Sequence, residues 1–252
     1  MPLAPEIVDL MYRAEGFLFD AEMLASGQGG AALIRARFAL DRFSPALFDR
    51  LGIPCPTTLV HAAEKRRAEF LAGRAMARAA LKTLALPAVE IVIGPDRAPI
   101  WPQGVLGSIS HARGHCAAIV APEASPRSQG LGIDIEAYAA PRAQAALVKI
   151  ALSNTERALL DGKSGFPPDR LATLIFSAKE TLFKALYPVV RAHFGFDAAV
   201  LSELPAPDHL TLRLTRSLHP TLREGAAFHL RYVLNEDHLV TWMIVPPQIT
   251  GA

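Results

Sequence analysis

Apolar positions recur along this chain with two different periods, and the changes between them mark out helices and short strands. Residues 7–17 carry a weak helical pattern, and the partial alternation of residues 32–40 suits a strand. Over residues 62–84, Phe70, Leu71, Met76 and Leu81 keep helical spacing while Arg66, Arg67, Arg74 and Arg78 fall largely on another face; Pro87 ends the run. Short strands are then predicted at 90–93, 107–111, 115–121 and 131–136, with a turn at 94–97 and a Pro- and Ser-rich linker over 122–130. In the second half, Ser153-Asn154-Thr155-Glu156 has the form of a capping box opening a helix through residue 160. A longer helix follows at 171–186. Leu210, Leu212 and Leu214 alternate with polar neighbours as a half-buried strand, and 228–234 and 239–245 read as a hairpin about residues 235–237.

Each half therefore contains a helix followed by a small antiparallel set. That order predicts an α+β fold of two pseudo-symmetric subdomains, each a helix packed on a small antiparallel sheet, spanning 1–125 and 126–252. No repeat occurs at the 20–50-residue periods of solenoids. With 252 residues, 51% of them hydrophobic and 20% charged, the chain can bury the cores that two such subdomains need.

Charge narrows the function classes. Twenty-six Lys and Arg against 24 Asp and Glu leave +2, which excludes a polybasic nucleic-acid arm as the organising feature. No stretch reaches the roughly 18 uncharged residues of a membrane helix. Glu6 and Asp9 stand where a secretory signal would be basic and then apolar. The expectation is a soluble, cytoplasmic protein with no nucleic-acid partner and no membrane span. The two cysteines, Cys55 and Cys116, lack metal-ligand spacing, and Cys116 in HCAAIVA reads as a small core residue.

Four segments carry candidate chemistry. In GIDIE, Ile133 and Ile135 point to one strand face and Asp134 and Glu136 to the other, roughly 7 Å apart. Two such carboxylates repel unless a cation sits between them, and a hard divalent ion such as Mg²⁺ takes oxygen ligands of this kind. The plainer alternative is an edge strand with a solvated acidic face. In FSAKETLFK, Phe176 and Phe183 share a buried helical stripe, while Glu180 and Lys184 are four apart and adjacent; alone they make an ordinary exposed ion pair. In GSISH, small residues let a ligand approach the backbone, and Ser110 and His111 offer donors at a strand end; no GxSxG elbow or placed Asp makes a serine-hydrolase case. In KRRAEFLAGR the arginines give a helix a basic face, either merely solvated or an anion site.

In chain order, KRRAEFLAGR, GPDRAPIWP, GSISH, GIDIE and FSAKETLFK resemble the 4′-phosphopantetheinyl transferases of the surfactin and enterobactin type, the enterobactin-synthetase branch more than the other. The resemblance covers residues 60–195. It implies transfer of phosphopantetheine from coenzyme A to a serine of an apo carrier protein, with adenosine 3′,5′-bisphosphate leaving. It further implies Mg²⁺ held by Asp134, Glu136 and Glu180, and phosphate charge neutralised by Lys184 with Lys179 beside it. The 3′-phosphate and adenosine end falls to Arg66, Arg74 and His111, with Ser110 alongside and Arg97 in a neighbouring basic position. Glu180, or a water it orients, would accept the serine proton. Both halves lie in one chain, so activity as a monomer is expected, with the active site where the subdomains meet. A CoA diphosphatase lacks its Glu-rich helical signature here, and a non-catalytic scaffold would not need all three carboxylates and Lys184.

Overall fold

The computed structural model describes residues 3–27, 30–123, 130–161 and 165–245. The chain divides into two compact units, Met1–Ala124 and Ser125–Ala252. Residues 124–129 of the expected linker lie outside the described residues.

The first unit opens with α1 (Pro5–Arg13), then β1 (Leu18–Leu24) and β2 (Ala32–Phe38), a short α2 (Ala46–Leu51), the long α3 (Glu64–Thr83), and β3 (Val105–Ala112) and β4 (His115–Pro122). Its antiparallel sheet has the order β1-β2-β4-β3. The helix α3 packs on this sheet through Ala68, Leu71, Ala72, Ala75, Met76 and Ala79, all buried. The run of alanines lets helix and sheet approach closely, so the core here is built from small side chains and the long arginines are left to the helix's other sides. A chain of rings, Phe38–Phe17–Phe43–Phe48, tilted at its first two contacts and edge-on at the last, fills the end near α2. Cys116 is fully buried, and burial pushes its thiol up to about 12, as expected for a core residue.

The second unit runs β5 (Gly130–Ala137), α4 (Pro141–Ala151), α5 (Asn154–Ala158), α6 (Pro168–Val190) and β6 (Ala199–Leu201), β7 (His209–Leu214), β8 (Ala227–Leu234) and β9 (His238–Val245). The antiparallel sheet order is β5-β9-β8-β7-β6, so the strand bearing GIDIE precedes the helices yet ends the sheet, paired with the last strand. Leu174, Ile175, Ala178 and Leu182 of α6 bury against Leu212, Phe228, Leu230 and Met243 of the sheet side. Two glycines explain why α6 lies so close to β5. A Cβ at Gly130 would stand 1.8 Å from the Ala185 carbonyl oxygen, and one at Gly132 would stand 2.1 Å from that of Thr181. No other residue fits at either place.

The α+β architecture of two helix-on-antiparallel-sheet subdomains is present, with two departures from the pattern read from sequence. Strands precede the long helix in both units, so each is wrapped by its own sheet rather than followed by it. Residues 90–93 are not a strand; only an isolated bridge joins Ile93 to Pro99 around the 94–97 turn. β1, α2, α4 and β6 carried too little periodicity to be predicted.

Candidate active site

The acidic group of the second unit is assembled by α6 lying over β5. Asp134 is 3% exposed, although its strand is at the sheet edge. A solvated acidic face is thereby ruled out for it. Its Oδ2 accepts from Ser177 Oγ at 2.8 Å and its Oδ1 from Lys184 Nζ at 2.7 Å; Lys184 also donates to the Ile133 carbonyl at 3.1 Å. Ser177 and Thr181 share hydrogen bonds with Thr241 on β9, at 2.9 and 2.6 Å, and these small polar side chains clamp the helix to the sheet. Glu136, two residues along β5 from Asp134, is half-buried. Lys184 is therefore not the free-standing partner of Glu180 that i,i+4 spacing suggests. Its primary partner is a buried aspartate on another element.

Glu180 is also half-buried. Burial raises its carboxyl above the ordinary value, and the charge of Asp134 raises it further, while Lys184 and His193 pull it down. Two carboxylates thus repel across the gap between α6 and β5, with the half-buried Lys184 ammonium beside them. Oxygen donors under mutual repulsion in a confined site are a fit for a hard divalent cation. A cavity of about 190 Å³ opens beside Glu180, lined by Phe183, His193, Phe194, Phe196 and Ala199, with Lys179 also at its wall.

Lys179 departs from its expected place. Its ammonium donates to the Ala151 carbonyl at 2.8 Å and to Glu156 at 2.7 Å, with the two side chains 3% and 0% exposed. The structure does not gather it with Asp134 and Lys184. Burying both ions is costly, and hydrogen bonds offset that here: Lys179 donates to Ala151 and Glu156, and Glu156 also accepts from the Ser153 and Leu201 amides. Glu156 is at once the N3 residue of the predicted capping box, which is present in both halves: the Glu156 amide donates to Ser153 Oγ and the Ser153 amide donates to Glu156 Oε2.

The basic group of the first unit is more dispersed than its motif suggests. Arg66 is exposed and lines a cavity of about 550 Å³ together with Thr57, Glu90, Ile93, Pro95 and Arg97. Arg97 sits at φ 68° in the 94–97 turn, also exposed. His111 Nε2 lies 3.5 Å from the Arg66 guanidinium and Nδ1 lies 3.8 Å from Glu69, so the imidazole is flanked by a cation and an anion. Ser110 is 6% exposed on β3. Arg74 does not join the Arg66–Arg97 cavity. It lies over the Phe70 ring at 4.7 Å, donates to the Ile91 carbonyl at 2.7 Å, and lines a separate cavity of about 210 Å³. Burial, helped by the charge of Arg66, lowers it to about 10. Arg78 donates to the Leu51 and Gly52 carbonyls and Arg67 lies over Phe43. The open space expected at Gly107 is taken too: a Cβ there would meet the Trp101 ring at 2.4 Å.

Sequence reasoning missed Glu69, Ser177, Thr181 and Thr241. The one available signal was the helical spacing of Ser177, Thr181 and Lys184, which puts three polar side chains on the face that also meets β5.

Residues 56–121 match the family described as 4′-phosphopantetheinyl transferase N-terminal domain, and residues 130–242 match the 4′-phosphopantetheinyl transferase superfamily. Over 176 residues the chain is 39% identical to 4′-phosphopantetheinyl transferase Svp of Streptomyces mobaraensis, covering 68% of this chain and 70% of that one. It belongs to the 4′-phosphopantetheinyl transferases. Enterobactin synthase component D of Salmonella typhimurium is 35% identical over 176 residues, 70% of this chain and 71% of the relative. A shorter match, 40% over 136 residues, joins it to 4′-phosphopantetheinyl transferase Npt of Nocardia iowensis, 54% of this chain and 59% of that one. As a 4′-phosphopantetheinyl transferase, the protein moves phosphopantetheine from coenzyme A to a carrier protein. Both matched segments contain residues of the two groups above: Arg66, Arg74, Arg97, Ser110 and His111 in the first, Asp134, Glu136, Glu180 and Lys184 in the second. None of the helices among the described residues is long and apolar enough to cross a membrane.

Proposed function

We propose that this transferase is Mg²⁺-dependent and modifies acyl, peptidyl or aryl carrier proteins of a biosynthetic assembly line, working as a monomer in the cytoplasm. The serine hydroxyl of the apo carrier attacks the β-phosphate of coenzyme A, the one joined to pantetheine. The new serine–phosphate bond forms as the pyrophosphate bond breaks, and adenosine 3′,5′-bisphosphate leaves with the electron pair. Asp134, Glu136 and Glu180 are the residues that would hold the metal, which supplies charge neutralisation to the pyrophosphate when bound. The observation that carries this reading is the buried Asp134 of GIDIE, hydrogen-bonded to Ser177 and Lys184 of the same helix that bears Glu180.

The chain's own residues do the rest by position and charge, as phosphoryl transfer asks. Lys184 is held by Asp134 and the Ile133 carbonyl, so its ammonium is presented to phosphate oxygens with little freedom left to lose. Glu180, on the helix that also carries Lys184, would accept the serine proton directly or through a water that it orients. Arg66 and Arg97, which line one large cavity, and His111, whose Nε2 lies 3.5 Å from the Arg66 guanidinium, are assigned to the 3′-phosphate and adenosine end. Arg74 supports that assignment from behind by holding the segment that carries Ile91.

The test is the intact mass of an apo carrier after incubation with the protein, coenzyme A and Mg²⁺. Gain of one phosphopantetheine, abolished by EDTA and restored by Mg²⁺, is the expected result. Consumption of coenzyme A without carrier modification would make the protein a diphosphatase, and neither change would make it a binding scaffold. Modification undiminished in EDTA would remove the metal from the proposal.

A further inference from the structure

Glu156 has no exposed surface, and both of its carboxylate oxygens are committed. Oε2 accepts from the Ser153 amide at 2.8 Å and from Lys179 at 2.7 Å, and Oε1 accepts from the Leu201 amide at 2.8 Å. Lys179 adds the Ala151 carbonyl, the last residue of α4. One buried ion pair thus joins the end of α4, the cap of α5, the middle of α6 and the end of β6. An apolar pair of similar volume often fills a core at no greater cost, so stability alone does not account for a charged hub here.

The hub's place on α6 shows what it holds. At about 100° per residue, Ser177, Thr181 and Lys184 fall within about 60° of one another on the face clamped to β5 and β9. Lys179 lies roughly opposite them, and Glu180 lies between the two sides. The helix is gripped on both flanks of the residue that faces Asp134. The same hub, through Leu201, anchors the strand β6 whose residue Ala199 walls the cavity beside Glu180.

We infer that Glu156 and Lys179 are positioning residues: their ion pair fixes the rotation of α6 and so holds Glu180 opposite Asp134, and Lys179 does not bind phosphate. The inference rests on the reading of Asp134 and Glu180 as the metal- and substrate-handling carboxylates.

The full-length chain and its variants Glu156→Gln, Lys179→Met and the double variant test it, through calorimetric binding of Mn²⁺, calorimetric binding of adenosine 3′,5′-bisphosphate, carrier modification and thermal unfolding. Each single variant should weaken Mn²⁺ binding and slow transfer by about tenfold or more, leave adenosine 3′,5′-bisphosphate binding within about threefold, and match the double variant, because all three remove one shared interaction. Weakened nucleotide binding in Lys179→Met with Glu156→Gln silent would make Lys179 a phosphate ligand and overturn the inference. Lower unfolding temperature with wild-type Mn²⁺ affinity and turnover would reduce the pair to a structural role and also overturn it. Wild-type protein that binds no Mn²⁺ would instead take down the reading of the carboxylates, and the positioning role with it. Should the variants fail to fold, lysine acetylation of the wild type decides. Lys179 should stay unlabelled with or without coenzyme A, while Lys184 reacts in its absence and is protected in its presence; labelling of Lys179 at the rate of Lys184, suppressed by coenzyme A, would overturn the inference.

Discussion

The two long helices, α3 and α6, both lay an apolar face on an antiparallel sheet, yet they use charge in opposite ways. On α3 the charges stand away from the small-residue face, and most are spent on the unit's own framework: Arg74 on Phe70 and Ile91, Arg78 on Leu51 and Gly52, Arg67 over Phe43. Arg66 alone of the four is exposed. On α6 the polar side chains stand on the sheet-facing side itself, where Lys184 and Ser177 meet the buried Asp134. A long arginine can cross a helix flank and end on a carbonyl, so a basic stripe at helical spacing says little about ligands. A carboxylate drawn into a nearly dry gap has no such cheap resting place, and its presence there reports a cation, a ligand or both.

That contrast breaks first at Asp134. Asp134→Asn keeps the shape and a partner for Ser177 but removes the charge shared with Lys184. Transfer at saturating Mg²⁺ should fall by at least about a hundredfold, about 2.7 kcal/mol of transition-state stabilisation. Wild-type turnover in this variant would return Asp134 to a structural role. Next comes Lys184. Lys184→Ala should transfer very little and Lys184→Arg partially, since Arg restores the charge but not the compact ammonium seated on Asp134 and Ile133. Equal rates for Lys184→Ala and wild type would show that the ammonium serves only to balance Asp134.

On α3 the same logic separates two arginines that the motif treats alike. Arg66→Ala should raise the apparent KM for coenzyme A with unchanged thermal stability, because the side chain is exposed at the large cavity. Arg74→Ala should destabilise the fold by about 1.5–3 kcal/mol, the range for a charged hydrogen bond, and raise KM only through the loosened 88–93 segment. Denaturant unfolding beside steady-state kinetics checks both. A KM effect in Arg74→Ala as large as in Arg66→Ala, with stability unchanged, would put Arg74 back among the direct ligands.

Much of this was legible in the sequence where one local rule spoke without competition. The capping box at Ser153–Glu156, the alternation of β7 and the hairpin of β8 and β9 all follow from short-range pattern, and all are present. GIDIE and FSAKETLFK named the acidic residues, and their family resemblance named the activity. Partnerships were not legible. Lys179 and Glu156 are 23 residues apart, and Lys184 and Asp134 are 50 apart; which lysine meets which acid depends on the rotation of α6 and its depth on β5, fixed by Gly130 and Gly132. Residues 90–93 misled because three β-branched side chains in a row, Ile91, Val92 and Ile93, satisfy strand propensity, while their hydrogen bonds go to a turn and to Arg74.

The Glu180 carboxyl is expected to act in transfer and not in the binding of coenzyme A. Glu180→Gln keeps the side chain's volume and removes its charge and basicity. Calorimetry on this variant should give coenzyme A affinity within about tenfold of wild type, about 1.4 kcal/mol. Its carrier-modification rate should fall by at least about a hundredfold, the low end for loss of a general acid–base group. Carrier modification by Glu180→Gln at the wild-type rate would contradict the account, since no step of the proposed reaction can proceed without that carboxylate.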